Sequence, residues 1–366
     1  MKIKENLFKF RQWNMGYYRI VHGFKTALAC ILGLALARYN DWPMGQWIPI
    51  TVMVVMSAQI HFGGAVYKAL MRMLGTLSGV AITILVLSLF GSSYVVVLLA
   101  VFFSVIFFGY IASGQGDISY AGTLGGVTVI LILSGQNVGI AEAMHRGFCI
   151  TMGVVIALLI SRTVFPFHAR DHLYYRMVTT LRNLSRLYLV SIKLQLENTA
   201  YYRLGAKIAK HIAEQPRLLH EAKIGSFAMA AKKQLFADII ESEQILNKLI
   251  NLSYVARKEQ GAQELVEKYQ IYLSPIQSVI SNNLNYLAEC LEHHGEPDPD
   301  VNVFIKIDDS LLQIDLIAET LNGGHGGQQI ILQGSFLFVM KQLLKELERS
   351  RNLIIKVDGK ALDDVV

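Results

Sequence analysis

Six apolar runs, each close to the length a helix needs to cross a bilayer, crowd into the first 166 residues: roughly Phe24–Arg38, Trp47–Phe62, Leu70–Phe90, Tyr94–Ala112, Ile118–Ser134 and Met144–Phe165. About 20 mostly apolar residues span a hydrocarbon core, where backbone polar groups must be satisfied internally. A bundle of spanning helices meets both demands. The first two runs are short unless their flanks contribute, and Trp42 and Trp47 supply indoles of the kind that settle at a membrane interface. The segments between runs (NDWPMGQ, FGG, GSS, SGQGD and GQNVG) are turn-like. The expectation is one six-helix transmembrane domain over residues 1–166.

Composition agrees, with 53% hydrophobic residues, 17% charged residues and a mean hydropathy of +0.39. Up to Pro166 there are 11 Lys and Arg against four acidic residues, so the net charge of +6 belongs to the apolar part. The pI near 9.0 is therefore a signal of membrane topology and gives no sign of nucleic acid as a partner. Basic residues gather in the N-terminal segment, around Lys68 and Arg72, and after the sixth run at Arg162, Arg170 and Arg176. With six spans these lie on one side, which predicts that both termini are cytoplasmic. Ala35–Ala37 imitates a signal-peptidase site, but its basic leader would run to Lys25, too long for a signal peptide.

After Pro166 the texture changes to helical apolar periodicity with plentiful Lys, Glu, Gln and Asn. Residues 167–366 are expected to form a cytoplasmic α-helical bundle, with breaks at AEQPRL, GEPDPD and NGGHGG and a closing hairpin or loose tail from Ile354. The fold class is thus an all-α membrane protein followed by a cytoplasmic helical domain. Cys30, Cys149 and Cys290 fall in two spans and in the second half, so they read as packing thiols and form no disulfide framework.

Internal repetition sharpens the picture. RMLGTLSG (Arg72–Gly79) and RGFCITMG (Arg146–Gly153) both open on Arg and place Gly seven residues later. Each begins the third helix of a three-span half, and because three is odd the halves would be inverted repeats, a layout used by transporters. Lys68 and Arg72, four residues apart, share one helix face. They fit cytoplasmic anchoring, whereas Arg146 sits at the outer end of its span, where topology asks for no cation. Its bland partner is Glu142, one turn earlier. An arginine facing a polar cavity binds carboxylates by paired hydrogen bonds. Arg72, Arg146, Lys68 and Thr76 are therefore the candidate path residues for an organic anion, with Gly64, Gly75, Gly79 and Gly153 allowing close helix packing.

The run WIPITVMVVM to GGAVYKALMRMLGTLSG, from Trp47 to Gly79, resembles the signature of the fusaric acid resistance and aromatic acid exporter family, whose plant relatives are the aluminium-activated malate transporters. The shared pattern is the opening Trp, Thr51 with a β-branched run, then Gly64, Lys68, Arg72, Gly75-Thr76 and Gly79. YYRIVHGFKTALA and LISRTVFP resemble short single-module members from Gram-negative inner membranes. Over Phe167–Val366 the resemblance rests on architecture. It implies a homodimeric inner-membrane protein that moves organic or aromatic carboxylates, with Arg72 facing the path. Longer members work with a periplasmic adaptor, for which the short outer loops here offer no support.

No G-x-x-x-x-G-K-[ST] sequence occurs, so no ATPase of that type is encoded. Proton coupling would need a titratable group in the bundle, and Asp117, Glu142 and His61 are the candidates. A passive anion channel of the malate-channel type needs none of them. A membrane-anchored scaffold, with the bundle as anchor, stands as the alternative from another class. No nucleophile–base pair, carboxylate pair or metal cluster stands out, so the sequence implies neither an enzyme, nor a cofactor, nor a metal site.

Overall fold

A computed structural model of the chain describes residues 15–57, 61–116, 118–135, 138–192, 198–258, 260–293, 306–322 and 327–359. The described residues are helical throughout, with no strand among them, and the chain divides into two compact units, Met1–His168 and Ala169–Val366.

The first unit holds α1 (Met15–Tyr39), α2 (Trp47–Ser57), α3 (Phe62–Phe90), α4 (Tyr94–Ala112), α5 (Ile118–Leu133) and α6 (Ile140–Thr163). Four of these, α1 from Arg19 onward, α3, α4 and α6, are long and apolar enough to cross a bilayer. The 11 residues of α2 and the 16 of α5 are not. At 1.5 Å per residue they reach only about 17 and 24 Å, against a hydrocarbon core of about 30 Å. Of the six expected spans, four thus reach full length among the described residues; the second is described from Trp47 to Ser57, with residues 58–60 outside the described residues. Helix α3 begins at Phe62, eight residues before the expected Leu70, so Lys68 and Arg72 lie inside a helix instead of leading into one.

Helix α3 is the hub, packing on α5 and on α6, while α2 packs on α1 and α6, and α4 packs on α5. Its buried residues recur every three or four positions, Ala65, Ala69, Arg72, Gly75-Thr76, Gly79-Val80, Thr83 and Leu87, as expected of one inward face. Leu70, Leu74, Leu77 and Leu85 lie on the exposed side. Helix α4 buries only Ser104 and Phe108, and the Phe108 ring seats where Gly125 of α5 lacks a side chain.

Two backbone approaches hold the hub. A Cβ on Gly79 of α3 would lie 2.8 Å from the Gly125 carbonyl oxygen and 3.0 Å from Thr128 Cβ, both on α5. A Cβ on Gly153 of α6 would lie 2.8 Å from the Ile48 carbonyl oxygen and 2.7 Å from Thr51 Cβ, both on α2. The partners keep the same spacing of three residues in each case. Only glycine lets these helices come so close.

The second unit holds α7 (Ala169–Ile192), α8 (Asn198–Gly225), α9 (Phe227–Ala231), α10 (Lys233–Lys258), α11 (Gln260–Lys268), α12 (Gln270–His293), α13 (Lys306–Asn322) and α14 (Gly327–Gly359). Helix α7 packs on α8 and α12, and α10 packs on α14, around a core that includes Leu173, Met177, Leu184, Leu284 and Leu343. Helix α8 continues through Pro216, so the expected break at AEQPRL does not occur. Buried Leu218 and Leu219 and the hydrogen bonds of buried Gln215 hold the turn on either side of the missing N–H. Helix α14 reaches Gly359, so the segment from Ile354 is helical to that point and forms no hairpin. The expected breaks at GEPDPD and across most of NGGHGG lie outside the described residues.

Candidate functional site

Helix α2 opens on Trp47, and Thr51 follows one turn later on the same face. Two arginines from different helices converge on that face. Arg72, from the inward stripe of α3, donates a hydrogen bond from Nη2 to Thr51 Oγ1 at 3.2 Å. Arg146, in the second turn of α6, lays its guanidinium over the Trp47 ring, 3.7 Å from the centroid. Both are buried, at 4% and 3% exposure, and the charges of the two lie close enough to repel each other. The Nε atoms of both are buried without a hydrogen-bond partner.

Lys68 stands one turn before Arg72 and places its ammonium 5.0 Å from the centroid of the Tyr120 ring of α5. The Tyr120 hydroxyl is buried and unpartnered. Thr76 is buried one turn beyond Arg72. Near Arg146 the aromatic wall continues, with Trp42 edge-on to Phe148 at 5.0 Å and the Cys149 thiol 3.4 Å from the Pro43 carbonyl oxygen.

The expected Glu142–Arg146 ion pair is not formed. Among the described residues of this unit the acidic side chains are Asp41 and Glu142, and neither makes an ion pair. The Trp47 face takes the guanidinium instead: aromatic faces attract cations by about 2 kcal/mol or more where water is excluded. Asp117 lies outside the described residues. His61 is buried at the start of α3, Gly64 is buried in its first turn, and Gly75 faces Ala121 of α5.

The sequence analysis singled out the cations and the glycines. It did not mark Thr51 and Trp47 as their partners, or Tyr120, or the half-buried His22 and buried Lys25 of α1. Trp47 carried a signal, an indole opening a short apolar run, and that signal equally fits an interface anchor. What the arrangement can do is bind an anion: two buried arginines and the half-buried Lys68, without carboxylate partners among the described residues, present donors on facing helices. A groove of about 400 Å³ between α3 and α4 is apolar, lined by Ile82, Val86, Phe103 and Phe107 among others, and shares no residue with the cation cluster.

Comparison with known proteins gives two matches. Residues 19–267 match the model of the fusaric acid resistance protein family, a match that continues well into the second unit. The chain is also similar to the inner membrane protein YeeA of Escherichia coli (strain K12), at 27% identity over 188 residues. That alignment covers 51% of this chain and 53% of the relative, so the chain spans about half the length of the curated relative it matches.

Proposed function

We propose, from the premise that the chain belongs to the fusaric acid resistance protein family, that it moves organic or aromatic carboxylate anions across the bacterial inner membrane along a path lined by Arg72 and Arg146. The inner-membrane setting follows the relative YeeA and the apolar helices. One observation carries the path: two guanidinium groups are buried together on α2 with no acidic partner. Guanidinium does not deprotonate in proteins, and an uncompensated buried charge costs several kcal/mol. A carboxylate entering between the two offsets that cost, so the pair favours an anion over any neutral solute.

In this reading the six helices of the first unit form two inverted repeats of three, α1–α3 and α4–α6. Its support is the equivalent packing of Gly79 on α5 and Gly153 on α2, and the shortness of the second helix in each half. Short or interrupted segments at matching positions of two halves are where transporters bind their cargo, and α2, which carries Pro49, presents both arginines with their ligands. In the same reading both termini and the second unit lie in the cytoplasm, which the basic flanks support, and the protein acts as a homodimer with the bilayer as its other partner. Kinship with the plant malate transporters extends the cargo class to dicarboxylates.

Export is the direction that needs no further energy source. With the cell interior negative, each negative charge that leaves gains about 2.3 kcal/mol per 100 mV. Passive conduction is the second reading, favoured because no described acid stands beside the arginines to carry a coupled proton. The test is benzoate flux through the purified chain in liposomes. Arg72→Gln and Arg146→Gln are each expected to lower it tenfold or more, and unchanged flux in both variants would overturn the path.

A further inference from the structure

A second group of basic side chains is buried at the opposite end of the first unit from Trp42, Trp47 and Arg146. Here α1 begins, α2 ends, α3 begins and the chain leaves α6: the Phe62 N–H donates to the Phe167 carbonyl oxygen at 3.1 Å. Lys25 of α1 is 2% exposed, among the largest fully buried side chains of the chain. Its ammonium stands 5.1 Å from the centroid of the Phe167 ring and makes no hydrogen bond or ion pair among the described residues. His22, three residues earlier on the same face, lies with Nε2 2.9 Å from the Met56 carbonyl oxygen of α2. A carbonyl accepts only, so Nε2 carries the proton, and Nδ1 is left buried and unpartnered. Lys25 and His61 both lie close enough to His22 for their charges to act on its ring.

A ring face satisfies a cation only in part, and a primary ammonium has three N–H donors to place. Among the described residues of the first unit no acidic residue is there to receive them, since Asp41 follows α1 and Glu142 opens α6 at the other end. We infer that the Lys25 ammonium, beside His22 and His61, forms a second oxyanion station, which holds the carboxylate of the cargo before Arg72 takes it over. The inference rests on the transport reading and extends it from a pair of arginines to a ladder. Along α3, Lys68 stands seven residues beyond His61, about 10 Å, and Arg72 one turn further. In this reading a carboxylate passes from Lys25 toward Lys68, then to Arg72 and Arg146.

The same donors would suit the phosphate of a lipid headgroup. The company Lys25 keeps favours the cargo: Arg72 and Arg146, the buried guanidinium cations of the first unit, likewise make no ion pair among the described residues.

The test is benzoate binding by calorimetry and benzoate flux, with the full chain in phosphatidylcholine bilayers. Lys25→Met is expected to weaken binding tenfold or more and to slow flux, and Lys25→Arg to restore most of both. Monodispersity of each variant on size exclusion in detergent guards against misfolding, and the Arg variant decides the matter if the Met variant is unsound. If Arg72→Gln abolishes flux while Lys25→Met leaves binding and flux intact, the station is overturned and the arginine path stands. If Arg72→Gln and Arg146→Gln leave flux intact, the transport reading fails first. An effect of Lys25→Met that appears only when phosphatidylglycerol is present would assign the site to a headgroup and overturn it as a cargo station.

Discussion

The guanidinium of Arg72 on α3 is tied to the hydroxyl of Thr51 on α2 at 3.2 Å, and Gly153 of α6 presses against the other side of the same threonine. One small residue thus fixes a cation and a helix crossing together. Replacing Thr51 with Val keeps the shape and removes the acceptor. Hydrogen bonds to charged groups contribute about 1.5–3 kcal/mol, so Thr51→Val is expected to raise the apparent KM for benzoate flux roughly tenfold or more while leaving the melting temperature in detergent within about 2 °C. Thr51→Ser should retain most of the affinity.

The Trp47 face positions Arg146. Trp47→Leu removes the quadrupole and leaves a buried guanidinium without its main contact, whereas Trp47→Phe keeps a weaker one. Flux should therefore fall in the order wild type, Phe, Leu. If the two variants were indistinguishable, the ring would act by bulk alone.

The glycines differ in how closely a neighbour approaches. A Cβ on Gly75 would meet the Ala121 carbonyl oxygen at 2.3 Å, a backbone atom that cannot swing aside, whereas Gly109 of α4 has nothing within 4 Å. Gly75→Ala is expected to cost about 1–3 kcal/mol, as overpacking does, and to lower the melting temperature in detergent. Gly109→Ala should leave it unchanged or raise it slightly through helix propensity.

The second unit contains a carboxyl without a cation. Glu243 of α10 is 1% exposed; Gln215 of α8 donates to Oε2 at 2.6 Å, and Oε1 is buried without a partner. Burial pushes its pKa well above the usual carboxylate range, against a smaller lowering by the Gln215 hydrogen bond. The folded state then binds a proton that the unfolded state has released, so stability falls as pH rises from about 4.3 toward the raised folded pKa. His211 of α8 acts in the opposite sense. Burial first, and the nearby Arg176 charge second, lower its pKa to about 4, so it favours the folded state above about 6.5 and that contribution is lost as pH falls toward 4. Glu243→Gln should therefore raise the melting temperature more at pH 8 than at pH 5, which thermal unfolding across that range checks.

The cations of the site were legible because charge is costly inside an apolar helical stripe. Arg72 falls on the period that also carries Gly75, Thr76 and Gly79, so one face could be drawn from spacing alone. Their ligands were not legible, because Arg146 meets Trp47 only through the packing of α6 on α2, far along the chain. At Pro216 the local signal pointed the wrong way, because the packing of Leu218 and Leu219 overrides a breaker.

The close contacts of α3 are with α5, and those of α2 are with α6. In the proposed layout of two halves, each has thus lent its middle helix to the other, as two clasped hands exchange fingers. The halves cannot swing apart as bodies. Helix α3 also packs on α6, and the Arg72–Thr51 bond ties it to α2 like a latch. A chain severed in the exposed turn between Gly91 and Ser93 would leave fragments that still hold each other, and co-expressing them should rebuild the intact assembly.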